Sequence, residues 1–544
     1  MKVSQAVGGA LVAAGVDHVF GVVGSGNFLV TGAMVDAGAR FVASRHEGGA
    51  ATMADAYART ADTAAALTVH QGCGLTNAMT GIAEAAKSRT PLLVLAAEVS
   101  QPRSNFYVDQ EALPRSVGAV PMRITSAATA AQEAVDAVAA ALHGRRTVVL
   151  NLPLEVQAEE AVAVAPPRLP DAPAPIEPSA KDVARLVEAL RGARRPVFVA
   201  GRGARSDAAR DALGALAQAH GALLATSAVA KGLFHGEEWS LDVSGGFASP
   251  LAAELIRGAD LIVGWGCALN MWTMRHGALI SPGATVVQVD DTKEALGAHR
   301  ELSFGVVGDT AATARAVHQA SDVEREGYRT EDVRARISES LQWRQVPFED
   351  LSGEGRIDPR AVTIALDDLL PADRVVAVDS GNFMGYPSMF LAVPDERGFC
   401  FTQAFQSIGL GLATAIGAAL AQPDRFPVAA LGDGGALMGA AELDTVRRLG
   451  LPMVVVVYND AAYGAEVHHF SPDGHDLATV TFPDTDIAAV ARGYGFTGVT
   501  VRQRHDLAQV RDWLDGPRDT PLLIDIKVVA DQPSWWLEEA FRGH

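Results

Sequence analysis

An α/β architecture of three doubly wound parallel-sheet domains is predicted from two features of the 544-residue chain. Short apolar runs of strand length alternate with longer Ala-rich stretches carrying apolar residues at helical spacing. The alternation persists through three successive units, and parallel sheets covered by helices on both faces are what such alternation produces.

Ala6 to Val16 reads as the first helix of a domain: Gly8 and Gly9 interrupt it, and it lacks the three parts of a secretory leader. Asp17-His18-Val19-Phe20 follows as a strand running into the Gly-rich turn Gly21 to Gly26. Phe41 to Arg45 is a strand that feeds a helix rich in Ala and Met, with Glu47 at the junction, and Thr147 to Leu152 closes the unit. A Pro-rich link spans Pro166 through Pro178. The second unit has strands at Pro196 to Ala200, Leu261 to Gly264 and Val286 to Val289, and ends near Val306-Val307-Gly308-Asp309. A charged run from Asp322 to Gly355 leads to the third, with strands at Val375 to Asp379, Pro427 to Leu431 and Met453 to Tyr458 and a helix from Leu437 to Leu449. The predicted domains are 1–165, 180–320 and 356–544, and the outer two are candidates for a shared fold.

The 64 acidic against 45 basic residues give a formal charge of −19, which argues against nucleic acid or an anionic membrane as partner. No apolar run reaches the ~20 residues of a membrane helix. Cys73, Cys267 and Cys400 are widely spaced and fit a reduced, cytoplasmic setting better than a disulfide frame.

The chemistry is concentrated in Gly432-Asp433-Gly434-Gly435 and Asn459-Asp460, which fall at the carboxyl ends of neighbouring parallel strands, where open α/β sheets bind ligands. The Asp433 carboxylate, the Asn459 amide oxygen and a nearby backbone carbonyl are hard oxygen donors suited to Mg²⁺ holding a diphosphate. Gly434 and Gly435 let phosphate oxygens approach backbone N–H groups. The plain alternative is a tight turn in which Asp433 caps a helix.

With these motifs the sequence resembles the thiamine-diphosphate enzymes of the acetohydroxyacid synthase and 2-oxoacid decarboxylase type across nearly its whole length. The resemblance implies pyrimidine-binding, middle and diphosphate-binding domains in that order, thiamine diphosphate and Mg²⁺ as cofactors, and a homodimer or homotetramer with active sites at the subunit interface. It implies Asp433, Asn459 and the Ala461 carbonyl as metal ligands. Ile408 in Gln406-Ser407-Ile408-Gly409 would be the wedge that bends the cofactor, and the Gln406 carbonyl would accept from its aminopyrimidine; relatives usually carry glycine at that place. Glu47, in Arg45-His46-Glu47-Gly48-Gly49-Ala50, would bond the aminopyrimidine ring, although a first-turn Glu is also simply favoured by the helix dipole. Asn77, Asn382 and Tyr463 complete the expected cofactor contacts.

Substrate signals divide. Ser25 and His70 resemble benzoylformate decarboxylase, whereas Gln110-Glu111 resembles the synthases, with Asp109 in place of their phenylalanine. His468 is a candidate acid–base residue with a surface or packing role as its alternative, and adjacent His468 and His469 point apart on a helix. The segment after Gly264 lacks the arginine pattern of flavin-binding synthases, so bound FAD is not expected. The expected reaction is acetolactate-synthase-like: decarboxylation of a 2-oxoacid donor with transfer of the acyl unit to a carbonyl acceptor. A simple decarboxylase or carbon–carbon lyase and a catalytically silent regulatory subunit are its rivals.

Overall fold

The computed structural model describes residues 1–162, 167–530 and 536–537. Pro166 of the predicted link, residues 163–165 of the first predicted domain, and residues 531–535 and 538–544 of the third lie outside the described residues.

Each unit builds one six-stranded sheet in which every pairing between strands is parallel. The first contains β1 (His18–Gly21), β2 (Arg40–Ala43), β3 (Ala65–Val69), β4 (Leu92–Glu98), β5 (Val120–Arg123) and β6 (Val148–Pro153), in the order 2-1-3-4-6-5. The second contains β7 (Pro196–Ala200), β8 (Leu223–Thr226), β9 (Ser240–Val243), β10 (Leu261–Trp265), β11 (Thr285–Asp290) and β12 (Phe304–Val307), in the order 12-11-10-7-8-9. The third contains β13 (Arg374–Val378), β14 (Phe399–Phe401), β15 (Phe426–Gly432), β16 (Val454–Asn459), β17 (Thr497–Val501) and β18 (Leu522–Lys527), in the order 14-13-15-16-18-17. Counted from its own first strand, the third sheet repeats the order of the first, so the outer units share a topology.

Helices cover both faces, which is why β4, β16 and β18 are buried at every residue, and why β4 and β16 carry long apolar runs instead of alternation. Strand order reverses between β1 and β3 in the first sheet, between β7 and β10 in the second, and between β13 and β15 in the third. There the connections diverge to opposite sides and leave a crevice. The Gly21–Gly26 turn and His70 border the first crevice, Gly201-Arg202 and Gly266-Cys267 the second, and Asp379 and Asp433 the third.

The helix predicted over Leu437–Leu449 is interrupted. Asp433–Met438 and Leu443–Leu449 are separate helices joined through a 3₁₀ turn at Ala440–Glu442. At this break the buried Glu442 accepts the Arg45 and His46 backbone N–H groups at 3.0 and 3.1 Å, linking the third unit to the first. The two units also meet where the Glu47–Ala61 helix crosses the Gly411–Ala421 helix, and their side chains form one continuous core. The crossing requires a glycine at 417, because a Cβ there would collide with the Met53 carbonyl oxygen. Among the described residues no helix is long and apolar enough to cross a membrane.

Replacing Gly417 by Leu is expected to destabilise the protein by about 2 kcal/mol, an overpacking cost that the backbone contact prevents from relaxing. Urea denaturation of the two proteins measures it.

Candidate active site

The crevice between β13 and β15 opens into a cavity of about 1170 Å³ shared with the second unit. β15 delivers Asp433 to its rim as the first residue of a helix, and β16 delivers Asp460 one residue beyond its own end. Both residues line the cavity, and their carboxylates lie within hydrogen-bonding reach of each other. Each is held above the ordinary carboxylate range, by burial first and, for Asp460, by the Asp433 charge second. Two like charges this close, one buried and one half-buried, call for a cation or a shared proton. Gly432, Gly434, Gly435 and Tyr463 border the same space, and the Tyr463 ring packs edge-on against Phe482 at 4.8 Å.

The expected trio of Asp433, Asn459 and Ala461 is not brought together. Asn459 is the last strand residue and faces the opposite side from Asp460. Its Nδ2 donates to Asp525 at 2.9 Å and to the Thr485 carbonyl at 3.3 Å, while its Oδ1 accepts the Ala461 N–H at 3.2 Å. The Ala461 carbonyl accepts the Phe482 N–H at 2.8 Å. The residues that line the cavity are Asp460 and Ala462, each one position further along. Asp460 stands beside the assigned asparagine in the sequence, and only the face of the strand end distinguishes them.

The loop bearing Gln406 and Ile408 enters the cavity between β14 and the Gly411–Ala421 helix. Gln406 has φ +62°, a left-handed conformation that costs an L residue about 1–2 kcal/mol and accounts for glycine at this place in the relatives considered above. Its far end is anchored by Asp379, whose two oxygens accept the Gly409 N–H at 3.1 and 3.0 Å and which also accepts from Ser380 N–H at 2.8 Å. Burial pushes the Asp379 carboxyl up to about 6 although these N–H groups oppose the shift. Sequence reading passed over Asp379; its signal is a carboxylate directly after a strand at the point of order reversal. Asn382 lines the cavity close by.

A second cluster forms on the first unit, around the crevice between β1 and β3. Glu47 begins the Glu47–Ala61 helix, and its Oε2 accepts from Asn77 Nδ2 at 3.1 Å. His70 meets the Phe106 ring edge-on at 5.4 Å, and its Nδ1 lies 3.4 Å from the Gly26 N–H. Acceptance at Nδ1 leaves the neutral imidazole to donate from Nε2. Ser25 is exposed in the adjoining turn. Gln110 is not free to touch a substrate: it is buried, its Oε1 accepts the Gly72 N–H at 3.2 Å, and its Nε2 donates to Asn151 at 3.0 Å. None of Glu47, Asn77, Ser25, His70 and Gln110 lines the cavity that holds Asp433. Within a single chain the two clusters are therefore separate.

His468 lies in the Gly464–Phe470 helix beyond Tyr463, partly buried and outside the cavity lining. Among the described residues no group of three or more His, Cys, Asp or Glu side chains forms a metal cage. A cation held through one or two carboxylates and other oxygens is the Mg²⁺ pattern.

Changing Asp460 to Asn is expected to raise the stability of the cofactor-free protein at neutral pH by roughly 1 kcal/mol, by removing the repulsion with Asp433. Because the folded-state carboxyls titrate above their unfolded values, their stabilising contribution is complete at low pH and is lost as pH rises beyond the ordinary carboxylate range. Urea melts across that range are expected to show a smaller fall for the variant than for the parent.

Family models described as the N-terminal TPP binding, central and C-terminal TPP binding domains of thiamine pyrophosphate enzymes match residues 1–122, 183–317 and 379–526. The chain is 27% identical to an acetolactate synthase large subunit of Parasynechococcus marenigrum, over 94% of this chain and 85% of that protein. Identity is also 27% to a sulfoacetaldehyde acetyltransferase of Castellaniella defragrans, over 93% and 89% of the two chains. It is 28% to a probable 2-ketoarginine decarboxylase of Pseudomonas aeruginosa, over 94% and 90%. The domain matches coincide with the three sheets and together span most of the sequence, so the chain belongs to the thiamine pyrophosphate enzyme family.

Proposed function

We propose that this protein decarboxylates a 2-oxoacid with thiamine diphosphate and Mg²⁺ and transfers the acyl unit to a carbonyl acceptor. The observation that carries the reading is the pair Asp433 and Asp460, a buried and a half-buried carboxylate converging at a strand-order reversal in a cavity of ligand size. The residues fit the cofactor: Asp433, Asp460 and the Ala462 carbonyl supply oxygen ligands for the cation, and Ile408 and the Gln406 carbonyl stand on the loop that shapes the organic part. Bound there, thiamine diphosphate supplies the electron sink that lets carbon dioxide leave.

The chain's own groups do the rest. The Asn77 amide fixes the Glu47 carboxyl at the start of its helix, in position to hold and pass a proton at the pyrimidine ring. Glu47 must reach a cavity whose lining excludes it, so the complete site takes Glu47 from a second copy of the chain. Exposed apolar side chains border both half-sites and favour such a pairing: Val23, Phe28 and Leu29 near Ser25, and Phe405, Leu437 and Met438 near Ile408. Burying these faces against each other also removes water from around the acceptor. The unpaired cysteines support a cytoplasmic location, and the reaction requires no flavin.

Two of the relatives described above are named for synthesis or acyl transfer, which favours ligation. His70 favours the second reading, simple decarboxylation: a ring fixed at Nδ1 with its proton on Nε2 is a donor suited to protonating a carbanion equivalent.

Incubating the purified protein with Mg²⁺, thiamine diphosphate and a panel of 2-oxoacids, with and without aldehyde or ketone acceptors, is expected to yield acyloin or acetohydroxyacid products detectable by mass spectrometry. Aldehyde as the sole product transfers the assignment to the decarboxylase. Failure to bind the cofactor at all would support a silent subunit. Glu47→Gln is expected to lower turnover by roughly 10²–10⁴-fold while leaving calorimetric cofactor binding largely intact. Unchanged turnover would sink the role given to Glu47.

A further inference from the structure

The loop carrying the wedge residue Ile408 is held at both ends by buried carboxylates from different domains. Asp379 holds Gly409 from within the third unit. The other hold comes from Glu84, in the Cys73–Lys87 helix of the first unit, which is completely buried. Glu84 Oε1 accepts the Ala404 N–H at 3.1 Å and Oε2 accepts the Phe405 N–H at 2.6 Å. Ala404, Phe405 and Gln406 are themselves exposed, so the loop has little packing of its own. Gln406, next after Phe405, is the residue in the left-handed conformation. An exposed loop with such a residue keeps one shape only if its surroundings over-determine it.

Glu84 is itself held in place. Arg59 Nη2 and Ser88 Oγ donate to Oε1 at 3.3 and 3.1 Å, and Arg59 also pairs with Asp55 and donates to the Phe401 carbonyl at 3.1 Å. The loop N–H groups therefore meet an acceptor oriented by the Arg59 guanidinium and the Ser88 hydroxyl, and hydrogen bonds within such charge-paired groups are about twice as strong as neutral ones.

We propose that Glu84 is a positioning residue for the cofactor: by fixing the Ala404 and Phe405 amides it sets the Gln406 carbonyl and Ile408 for thiamine diphosphate. The inference rests on the functional reading above. Glu84 touches neither cofactor nor substrate and acts only through the backbone of this loop.

Glu84→Gln tests it at nearly constant volume. A carboxylate offers acceptors on both oxygens, whereas an amide places an NH₂ against one of the N–H donors. The placement that keeps the three donors to Oε1 satisfied turns the NH₂ toward Phe405. In the cofactor-free protein, hydrogen exchange at Ala404 and Phe405 is expected to accelerate in E84Q. Calorimetric Kd for thiamine diphosphate with Mg²⁺ is expected to rise roughly ten-fold, the effect of losing a hydrogen bond to a charged group. E84D, which keeps the charge but withdraws it by one methylene, carries the same expectation as E84Q and is read if E84Q does not fold. Parental exchange and Kd in the folded Glu84 variant would overturn the proposal. A parent protein that binds no thiamine diphosphate would overturn the functional reading instead, and the exchange comparison would still report on Glu84 and the loop.

Discussion

Parallel strands all end at the same edge of a sheet, and that constraint organises the rest of this molecule. Helices close both faces, so the free backbone groups and polar side chains concentrate at the carboxyl edge, and a crevice opens where strand order reverses. Each of the three sheets has such a reversal next to its first strand. The reversals in the second and third sheets open into the same cavity, with Arg202 and Cys267 on one side and Asp433 on the other. The reversal in the first sheet, with Ser25 and His70, contributes nothing to that cavity's lining. The separation of the Ser25–His70 cluster from the Asp433 cavity thus follows from how the sheets are set against one another.

Their setting is fixed by a few buried cations with many acceptors. Arg59 joins Asp55 and Glu84 of the first unit to the Phe401 carbonyl of the third, and its own carbonyl accepts from Arg205 of the second at 3.0 Å. Arg202 donates to the Ser88 carbonyl at 2.7 Å, and buried Lys231 donates to the Ser388 and Leu391 carbonyls. Removing one partner of a buried ion pair typically costs about 3–5 kcal/mol because a charge is left uncompensated. The junction therefore resists sliding in a way that an apolar interface of similar area does not. Rigid domain placement is what allows Glu84 of the first unit to shape a loop of the third.

Much of the fold is legible in the sequence because local pattern and burial coincide. Runs such as Pro196–Ala200 and Val454–Tyr458 are apolar throughout, as strands buried on both faces require, and each lies in an observed strand. The break in Leu437–Leu449 is not legible, since its apolar spacing continues through Gly439 while Glu442 turns to serve backbone groups nearly four hundred residues earlier. The site divides in the same way. Asp433 and Gly434 announce themselves by chemistry and spacing. The choice between Asn459 and Asp460 depends on which face the strand's end presents, and the burial of Gln110 depends on Asn151 of a different strand. Asp379 and Glu84 act through long-range hydrogen bonds to backbone N–H groups, which leave no residue-type signature at the receiving end.

Several costly features of the chain lie at the candidate site. Gln406 and Ala461 both hold left-handed conformations without being glycine, and such residues cost of order 1–3 kcal/mol each. Asp433 and Asp460 add mutual repulsion in a buried setting. The close helix crossing at Gly417 and the Arg59 network supply the compensating stability elsewhere. A cation between the two carboxylates would turn their repulsion into attraction, and a ligand against the Gln406 loop would add contacts that the loop lacks alone. Anything that binds the folded state in this way stabilises it by mass action. The residues that carry this cost are therefore the ones through which the proposed cation and diphosphate would stabilise the fold.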